Sequence, residues 1–464
     1  MCTLYILCDI LRKMIDLKYI KENPQKIKEI IINRGFDAKK ADVDKLLRLE
    51  KELSVITVQL NNLRAERNRL SKTFGLKKDK NSMQKAKRIK EQIKVLEKRE
   101  AQIKKILNEI INWIPNIPLE EVPLGGDETQ NEEIKAWIPK IGYVNSKILK
   151  SKEGSKKVMP KFAIHGDKQF IPRQHWEIGK MLDIIDIEQG GCVSGSRFYY
   201  LKNEAVLIMN GIFHLLTEKL LSEGFILMYV PTLVKERLLY GTSHFPADAD
   251  QVYKVDSSNV ENKRALYLLG SAESSLIGYW MDKVIKKENL PIKATAITTC
   301  FRSEAGSWGK DVRGIKRVHQ FDKQEMIMIV ENSVDQARKA HEYLLSINEW
   351  LLQKLELPYR VINMCYGELG YAAAAKKYDY ELWLPSQQSF MEVGSNSITT
   401  DYQARRLNIR YQDDDKKIKY VYTLNDTGAT HRLLIGIIDH YQQSDGSLLV
   451  PKVLRKYVGK DKIK

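Results

Sequence analysis

The sequence contains no run approaching the roughly 18 consecutive apolar residues of a membrane-spanning helix, so a soluble chain with no membrane partner is expected. Cysteine is scarce: Cys2, Cys8, Cys192, Cys300 and Cys365 form no C-x-x-C pair and have no histidine at ligand spacing. That pattern argues against a disulfide framework and against a structural zinc site. It fits a reducing compartment, the cytoplasm, with an organellar matrix as the alternative. The opening MCTLYILCDILRK lacks both the basic start of a secretory signal and the Arg/Ser richness of a transit peptide, so residues 1–13 read as a short extension. Acidic residues are also in deficit: 76 Lys+Arg face 59 Asp+Glu, a formal net charge of +17 over 464 residues. Such a balance favours a polyanionic partner, nucleic acid first.

What is present falls into two parts. Leu46, Leu49, Leu53, Ile56, Leu60, Leu63 and Leu70 step by threes and fours, and Ile89, Ile93, Leu96, Ile103, Leu107 and Ile110 repeat the spacing. These are coiled-coil seams, and TFGLKKDKNSM (73–83) between them carries turn residues. An antiparallel helical hairpin is expected from about Ala41 to Ile111, projecting about 45 Å at 1.5 Å per residue. From Ser71 to Lys105 it holds eleven Lys and two Arg against four acidic residues, suited to phosphates or to a plain solvated face. WIPNIPLEEVPLGGD (113–127), with three prolines and a glycine pair, reads as a linker. The domains expected are thus a basic helical one at 14–112, a linker at 113–135 and a mixed helix and strand domain at 136–464. Within the last, 203–224 reads as a helix stopped by Gly224, FILMYVP as a strand, and GATHRLLIGIIDHYQ as an apolar helix with one arginine near its start.

The richest chemistry lies in TAITTCFRSE and KRVHQFDKQEMIMIV, which read as two arms of a long antiparallel hairpin. Residues two apart share a strand face, so Arg302 and Glu304 are expected to point one way, and Arg317, His319, Phe321 and Glu325 to share a face on the second arm. Guanidinium for phosphate, carboxylate for an exocyclic amine and a ring for a purine would hold a nucleotide. A cross-strand salt-bridge ladder is the alternative.

FRSEAG, a basic loop and RVHQFDKQEM (301–326) resemble motif 2 of the seryl-tRNA synthetases, a class II aminoacyl-tRNA synthetase family. The resemblance continues through MIDLKYIKENPQKIKEIIINRG (14–35), the basic hairpin, IPNIP, HWEIGKMLDIID, VSGSRFYYL, and EGFILMYVPTLV as motif 1 at a dimer interface. It ends with EVGSNSITTDYQARRLNIRY and YTLNDTGATHRLLIGIIDHYQ, which are similar to the metal-carboxylate segment and motif 3. It implies an α+β fold: a class II core of antiparallel sheet and flanking helices, plus an N-terminal antiparallel coiled-coil arm. The implied partners are ATP with Mg²⁺, L-serine, a second copy of the chain joined through 203–234, and tRNA-Ser, whose long variable arm would lie on the basic hairpin. tRNA-Sec is a second implied acceptor. Arg302 would hold the α-phosphate, Glu304 and the backbone near Val318 the adenine edge, Phe321 one adenine face, and Arg432 the other face and the γ-phosphate. Ser303, Arg317, Val393 and Gly394 would complete the ATP site. Glu392 with Ser395 would hold Mg²⁺. Serine would direct its ammonium at Glu325 and its hydroxyl at Asn425 and Thr427, with Ser271, Ala272, Glu273 and Arg302 around it. Arg302, Glu392 and Arg432 are the expected catalytic set, and His319 is expected to be structural.

Three positions depart from the family pattern. Ser271 stands where Thr is general, GSNSI (394–398) replaces SSCSN, and Asp426 stands where Gly is usual, followed by a helix entry one residue shorter than in many bacterial relatives. A carboxylate at 426 is expected to lower affinity for ATP or serine. The plainer readings are a strand carboxylate for Glu392, a surface charge for Arg432 and a turn for Asn425–Gly428. A paralogue keeping fold and arm as an RNA-binding or structural protein is the competing class, against which the joint presence of Arg302, Glu304, Phe321, Glu325, Glu392 and Arg432 argues.

Overall fold

The computed structural model describes residues 17–74, 80–140, 162–166, 170–256, 265–305 and 313–464. The expected extension at 1–13 and the centre of the hairpin turn lie outside them. The chain divides into two compact units, Met1–Ile117 and Pro118–Lys464.

In the first unit, α1 (Pro24–Asn33) precedes two long helices, α2 (Val43–Phe74) and α3 (Lys80–Trp113). Leu46, Leu53, Ile56 and Leu60 of α2 and Ile89, Ile93, Ile103 and Leu107 of α3 are all buried, which is the seam that the heptads dictate. Leu63, Leu70 and Leu96 are only half-buried. Charges bracket the seam: Arg99 holds Glu52 through two nitrogens at 2.7 and 3.0 Å, and Arg64 meets Glu97 at 2.8 Å.

In the second unit eight strands form one sheet: β1 (Glu132–Trp137), β2 (Ile226–Leu227), β3 (Ile292–Phe301), β4 (Gln320–Val330), β5 (Tyr359–Asn363), β6 (Lys376–Leu384), β7 (Ser389–Thr400) and β8 (Tyr422–Thr430). Their order is β1-β5-β6-β7-β8-β4-β3-β2, antiparallel except for β2 against β3. Much of 113–135 belongs to this body, since Leu119 and Val122 pack beside Leu369 and Ala374 and β1 pairs with β5. The run FILMYVP is largely not a strand. Only Ile226 and Leu227 pair, and Tyr229 beyond them is fully exposed.

Three helices cover one side of the sheet: α4 (Asn203–Ser222), α5 (Val334–Lys354) and α6 (Arg432–Tyr441). Ser333 caps α5 by accepting from the Gln336 backbone N–H, a standard end for unpaired helix donors. Every residue of α6 after Arg432 is buried, hence its apolar composition. By length and composition α4 alone among the described helices could cross a bilayer, but Ile208, Ile212, Leu216 and Leu220 lie in the core. The stretch Asn425–Gly428, whose residues favour turns, lies inside β8, because β4 and β7 pair with it on both sides. The turn chemistry survives only as a bulge at Gly428, where Gln324 pairs with Ala429 but Glu325 pairs with Thr427.

Glu121 ties the segment before β1 to this body. Arg338 donates to it through Nε and Nη2 at 2.9 and 2.8 Å, and Lys376 lies at 3.2 Å. The Arg338 hydrogen bonds hold its carboxyl down at about 2, against an ordinary 4.5. The folded value lies below the unfolded one, so this stabilisation is complete above about pH 4.5 and disappears as pH falls toward 2. Thermal melts of wild type and Glu121→Gln from pH 6 to 2 should therefore converge on acidification, the wild type losing more. Parallel curves would contradict the assignment.

Candidate active site

Two adjoining clefts open beside β3, β4, β7 and β8. The larger, about 560 Å³, is lined by Ser271, Glu273, Lys323, Tyr371 and Asn425 among others. The smaller, about 120 Å³, is lined by Val318, Phe321, Glu392, Val393, Gly394, Thr427 and Arg432. Arg302, Glu304, Arg317, Lys323 and Ser395 border both.

The two ends of the β3–β4 hairpin bring the first cations in, but not by strand alternation. β3 stops at Phe301, and Glu304 has φ +50°, in the left-handed region. β4 starts at Gln320, so Arg317 and His319 precede it. The shared faces expected for Arg302 with Glu304, and for Arg317 and His319 with Phe321, are therefore turns of the chain that converge on one place. Glu304 lies 3.6 Å from Arg317 and 3.9 Å from Arg197. Arg302 donates to the Gly270 carbonyl at 3.3 Å and sits 5.3 Å above the Phe321 ring. His319 donates from Nδ1 to the Arg302 carbonyl at 2.9 Å, a backbone brace. The Ser303 hydroxyl meets the Asp250 carbonyl, and Ser303 and Ala272 line neither cleft.

Along β4, Phe321, Lys323 and Glu325 do alternate onto one face. Lys323 was not singled out from sequence, although the same count of two includes it. It is buried with its ammonium 2.5 Å from Glu325, and Ser271 donates to the same carboxylate oxygen at 2.9 Å. Glu325 thus lies below the cleft floor, already engaged. Glu273 is the carboxylate that faces the larger cleft. Its Oε1 accepts from Gln403 at 2.7 Å, Asn425 at 3.0 Å and the Tyr371 hydroxyl at 3.2 Å, while Oε2 lies 3.9 Å from His244 Nε2. Burial, reinforced by the Glu325 charge, pushes Glu273 up to about 7. Burial pushes His244 down to about 4, so it is neutral at pH 7.

On the other side, Arg432 opens α6 and donates to the Glu392 carbonyl at 2.8 Å and carboxylate at 3.3 Å. Burial would raise the Glu392 carboxyl, but Arg432, Lys377 and Arg302 hold it below its ordinary value. Glu392 stands at a bulge in β7, where Glu381 pairs with Glu392 and Tyr380 with Gly394. Among the described residues no three or more His, Cys, Asp or Glu side chains converge as a metal cage. Glu392 and Ser395 offer one carboxylate and one hydroxyl, hard oxygen donors that suit Mg²⁺ carried largely by phosphate oxygens.

The comparisons with known proteins agree with one another. Residues 14–118 match the family model described as the seryl-tRNA synthetase N-terminal domain, and 253–441 that of the class II core domain of G, H, P, S and T tRNA synthetases. A serine–tRNA ligase of Dictyoglomus thermophilum is 40% identical over 456 residues, 97% of this chain and 99% of that protein. The crystal structure of seryl-tRNA synthetase from Pyrococcus horikoshii complexed with ATP superposes with TM-score 0.83 at 35% identity, covering 97% of this chain and 99% of that one. The cytoplasmic serine–tRNA ligase of Naegleria fowleri in complex with AMP gives 0.78 at 27% identity, with 98% of each chain covered.

Proposed function

The chain belongs to the seryl-tRNA synthetase family, and from that premise we infer that it is a serine–tRNA ligase: it joins serine to ATP as seryl-adenylate, releasing pyrophosphate, and passes the seryl group to the 3′ end of tRNA-Ser. The observation that carries this reading is the meeting of a smaller, arginine-lined cleft with a larger one lined by buried hydrogen-bonding groups. No observation favours the non-catalytic alternative.

The charges divide the work. In the smaller cleft Arg302, Arg317 and Arg432 take the phosphates, and Phe321 beneath Arg302 offers its ring to the base. Glu392 and Ser395 are the residues that would hold Mg²⁺ beside the phosphates, where it would supply further neutralisation of their charge. The serine carboxylate oxygen attacks the α-phosphorus and the bond to the bridging oxygen of pyrophosphate breaks. The side chains act by position and electrostatics, with no nucleophile of their own. In the second step a ribose hydroxyl of the tRNA attacks the seryl carbonyl and AMP leaves.

The larger cleft presents the Glu273 carboxyl, pushed up to about 7 by burial and the nearby Glu325 charge, while Lys323 is already paired with Glu325. The ammonium of serine meets Glu273, and its hydroxyl meets Asn425 of the larger cleft and Thr427 of the adjoining smaller one. Polar groups that are buried and left unpaired by alanine reject it far more strongly than size alone could.

A second copy of the chain covers the exposed apolar face made by Val206, Leu207 and Leu221 of α4 with Ile226, Leu227 and Tyr229. The basic hairpin carries the tRNA by shape and phosphate contact.

Two outcomes are expected. Serine KM should be level above pH 8 and rise about tenfold per unit as pH falls below the Glu273 value of about 7, and Glu273→Gln should raise KM and flatten the profile. A Gln variant with the wild-type profile would remove Glu273 from ammonium binding. Deleting residues 71–85 should weaken tRNA binding and aminoacylation, with steep salt dependence in the intact protein, while serine-dependent pyrophosphate exchange continues. Equal losses in both assays would contradict the division between arm and core.

A further inference from the structure

Asp426 is completely buried, yet it lines neither cleft. Alternation along β8 turns Asn425 and Thr427 toward the clefts and Asp426 to the opposite face, against α5. There its two oxygens have separate donors. The Tyr380 hydroxyl donates to Oδ1 at 2.6 Å, and the Asn348 amide donates to Oδ2 at 2.8 Å. Tyr380 belongs to β6 and Asn348 to α5, so one carboxyl joins β8 to a strand two places away and to the covering helix. The span across β7 is open because Gly394 has no side chain: a Cβ there would lie 3.1 Å from both Tyr380 Cδ2 and Thr427 Cβ. Across the strands Asp426 pairs with Asn396, whose amide donates to the His341 carbonyl of α5 at 2.7 Å. Both residues of the back face are thus hydrogen-bonded to the helix, while their neighbours carry the pocket.

We propose that Asp426 is a positioning residue for the amino-acid pocket: its clamp on Tyr380 and Asn348 fixes the rotation of β8 and so aims Asn425 at Glu273 and Thr427 at the cleft. Its carboxyl does not touch substrate, which corrects the expectation that a charge at 426 burdens the site. The strand period carries it to the other side. Loss of the clamp frees β8 to turn by a fraction of its pleat, which costs the Asn425 contact with Glu273 at 3.0 Å before it disturbs Arg302, which stands on another segment, or Arg432, which follows β8 on α6 and is held by the Glu392 carbonyl and carboxylate. Asn at 426 retains an acceptor for Tyr380 and, with the Asn348 amide reversed, a donor for its oxygen.

This inference rests on the serine–tRNA ligase reading, and serine-dependent ATP–pyrophosphate exchange separates the two. Asp426→Ala and Tyr380→Phe should each raise serine KM about tenfold with ATP KM within about twofold of wild type, Asp426→Asn should recover most of the loss, and the Ala/Phe double variant should be no worse than Asp426→Ala. Equal rises in serine and ATP KM, or a lowered Tm with both KM values unchanged, would reduce Asp426 to a purely structural residue and overturn the proposal. If Asp426→Ala does not fold, Tyr380→Phe decides on the same criterion. Absence of any exchange in the wild type would overturn the ligase reading, and this inference with it.

Discussion

The site depends on one constraint, that neighbouring residues of a strand face opposite ways in a sheet with helices on one side and the clefts on the other. β4, β7 and β8 put polar groups on the cleft face and apolar or clamped groups on the helix face, one residue apart. Phe321, Lys323 and Glu325 are separated by residues of the opposite side, as Asn425 and Thr427 are by Asp426. Phe321, Lys323, Asn425 and Thr427 therefore cannot shift without their strand neighbours moving in the core, where packing density leaves no room. That rigidity is what an enzyme without a nucleophile requires, since its rate comes from groups already aimed at developing charge.

The two clefts carry charge differently. In the smaller one the arginines outnumber the carboxylates that they meet, Glu304 and Glu392, which suits a polyanion. In the larger one Lys323 is paired with Glu325, and Glu273 is the buried carboxyl that faces the cleft. On the proposed reading, a zwitterionic amino acid laid across the junction turns its ammonium to Glu273 and its carboxylate to the arginines, the orientation needed for attack on the α-phosphorus.

Much of this was legible in the sequence, and the failures have physical causes. The heptads gave the helical hairpin because a coiled-coil seam is a local periodic signal; the half-buried Leu63, Leu70 and Leu96 follow the pattern less closely. Arg302, Glu304, Arg317, Phe321, Glu392 and Arg432 line the clefts even where strand alternation does not carry them there, whereas Ser303, Ala272 and Glu325 line neither. Arg302 and Glu304 meet through a turn with positive φ, which a count of two along a strand cannot describe. Lys323 escaped notice because a lysine before an apolar run reads as a strand edge, and only its ion pair with Glu325 shows why it is buried. Glu273 collects donors from Gln403, Asn425 and Tyr371, which lie 98 to 152 positions away along the chain, and no local pattern announces such a hub. Asn425–Gly428 favoured a turn by propensity, but pairing with strands on both sides overrode it.

The central claim is that the pocket below the arginine cleft is built for the hydroxyl and ammonium of serine. ATP–pyrophosphate exchange by the purified full chain, run in parallel with serine, threonine, alanine and glycine, tests it most directly. The account predicts exchange with serine and a kcat/KM for alanine lower by several orders of magnitude, about 10⁴-fold, because the hydrogen bonds that a polar site makes to the serine hydroxyl would go unmade. Alanine or glycine supporting exchange as well as serine, or no amino acid supporting it at all, would contradict the account.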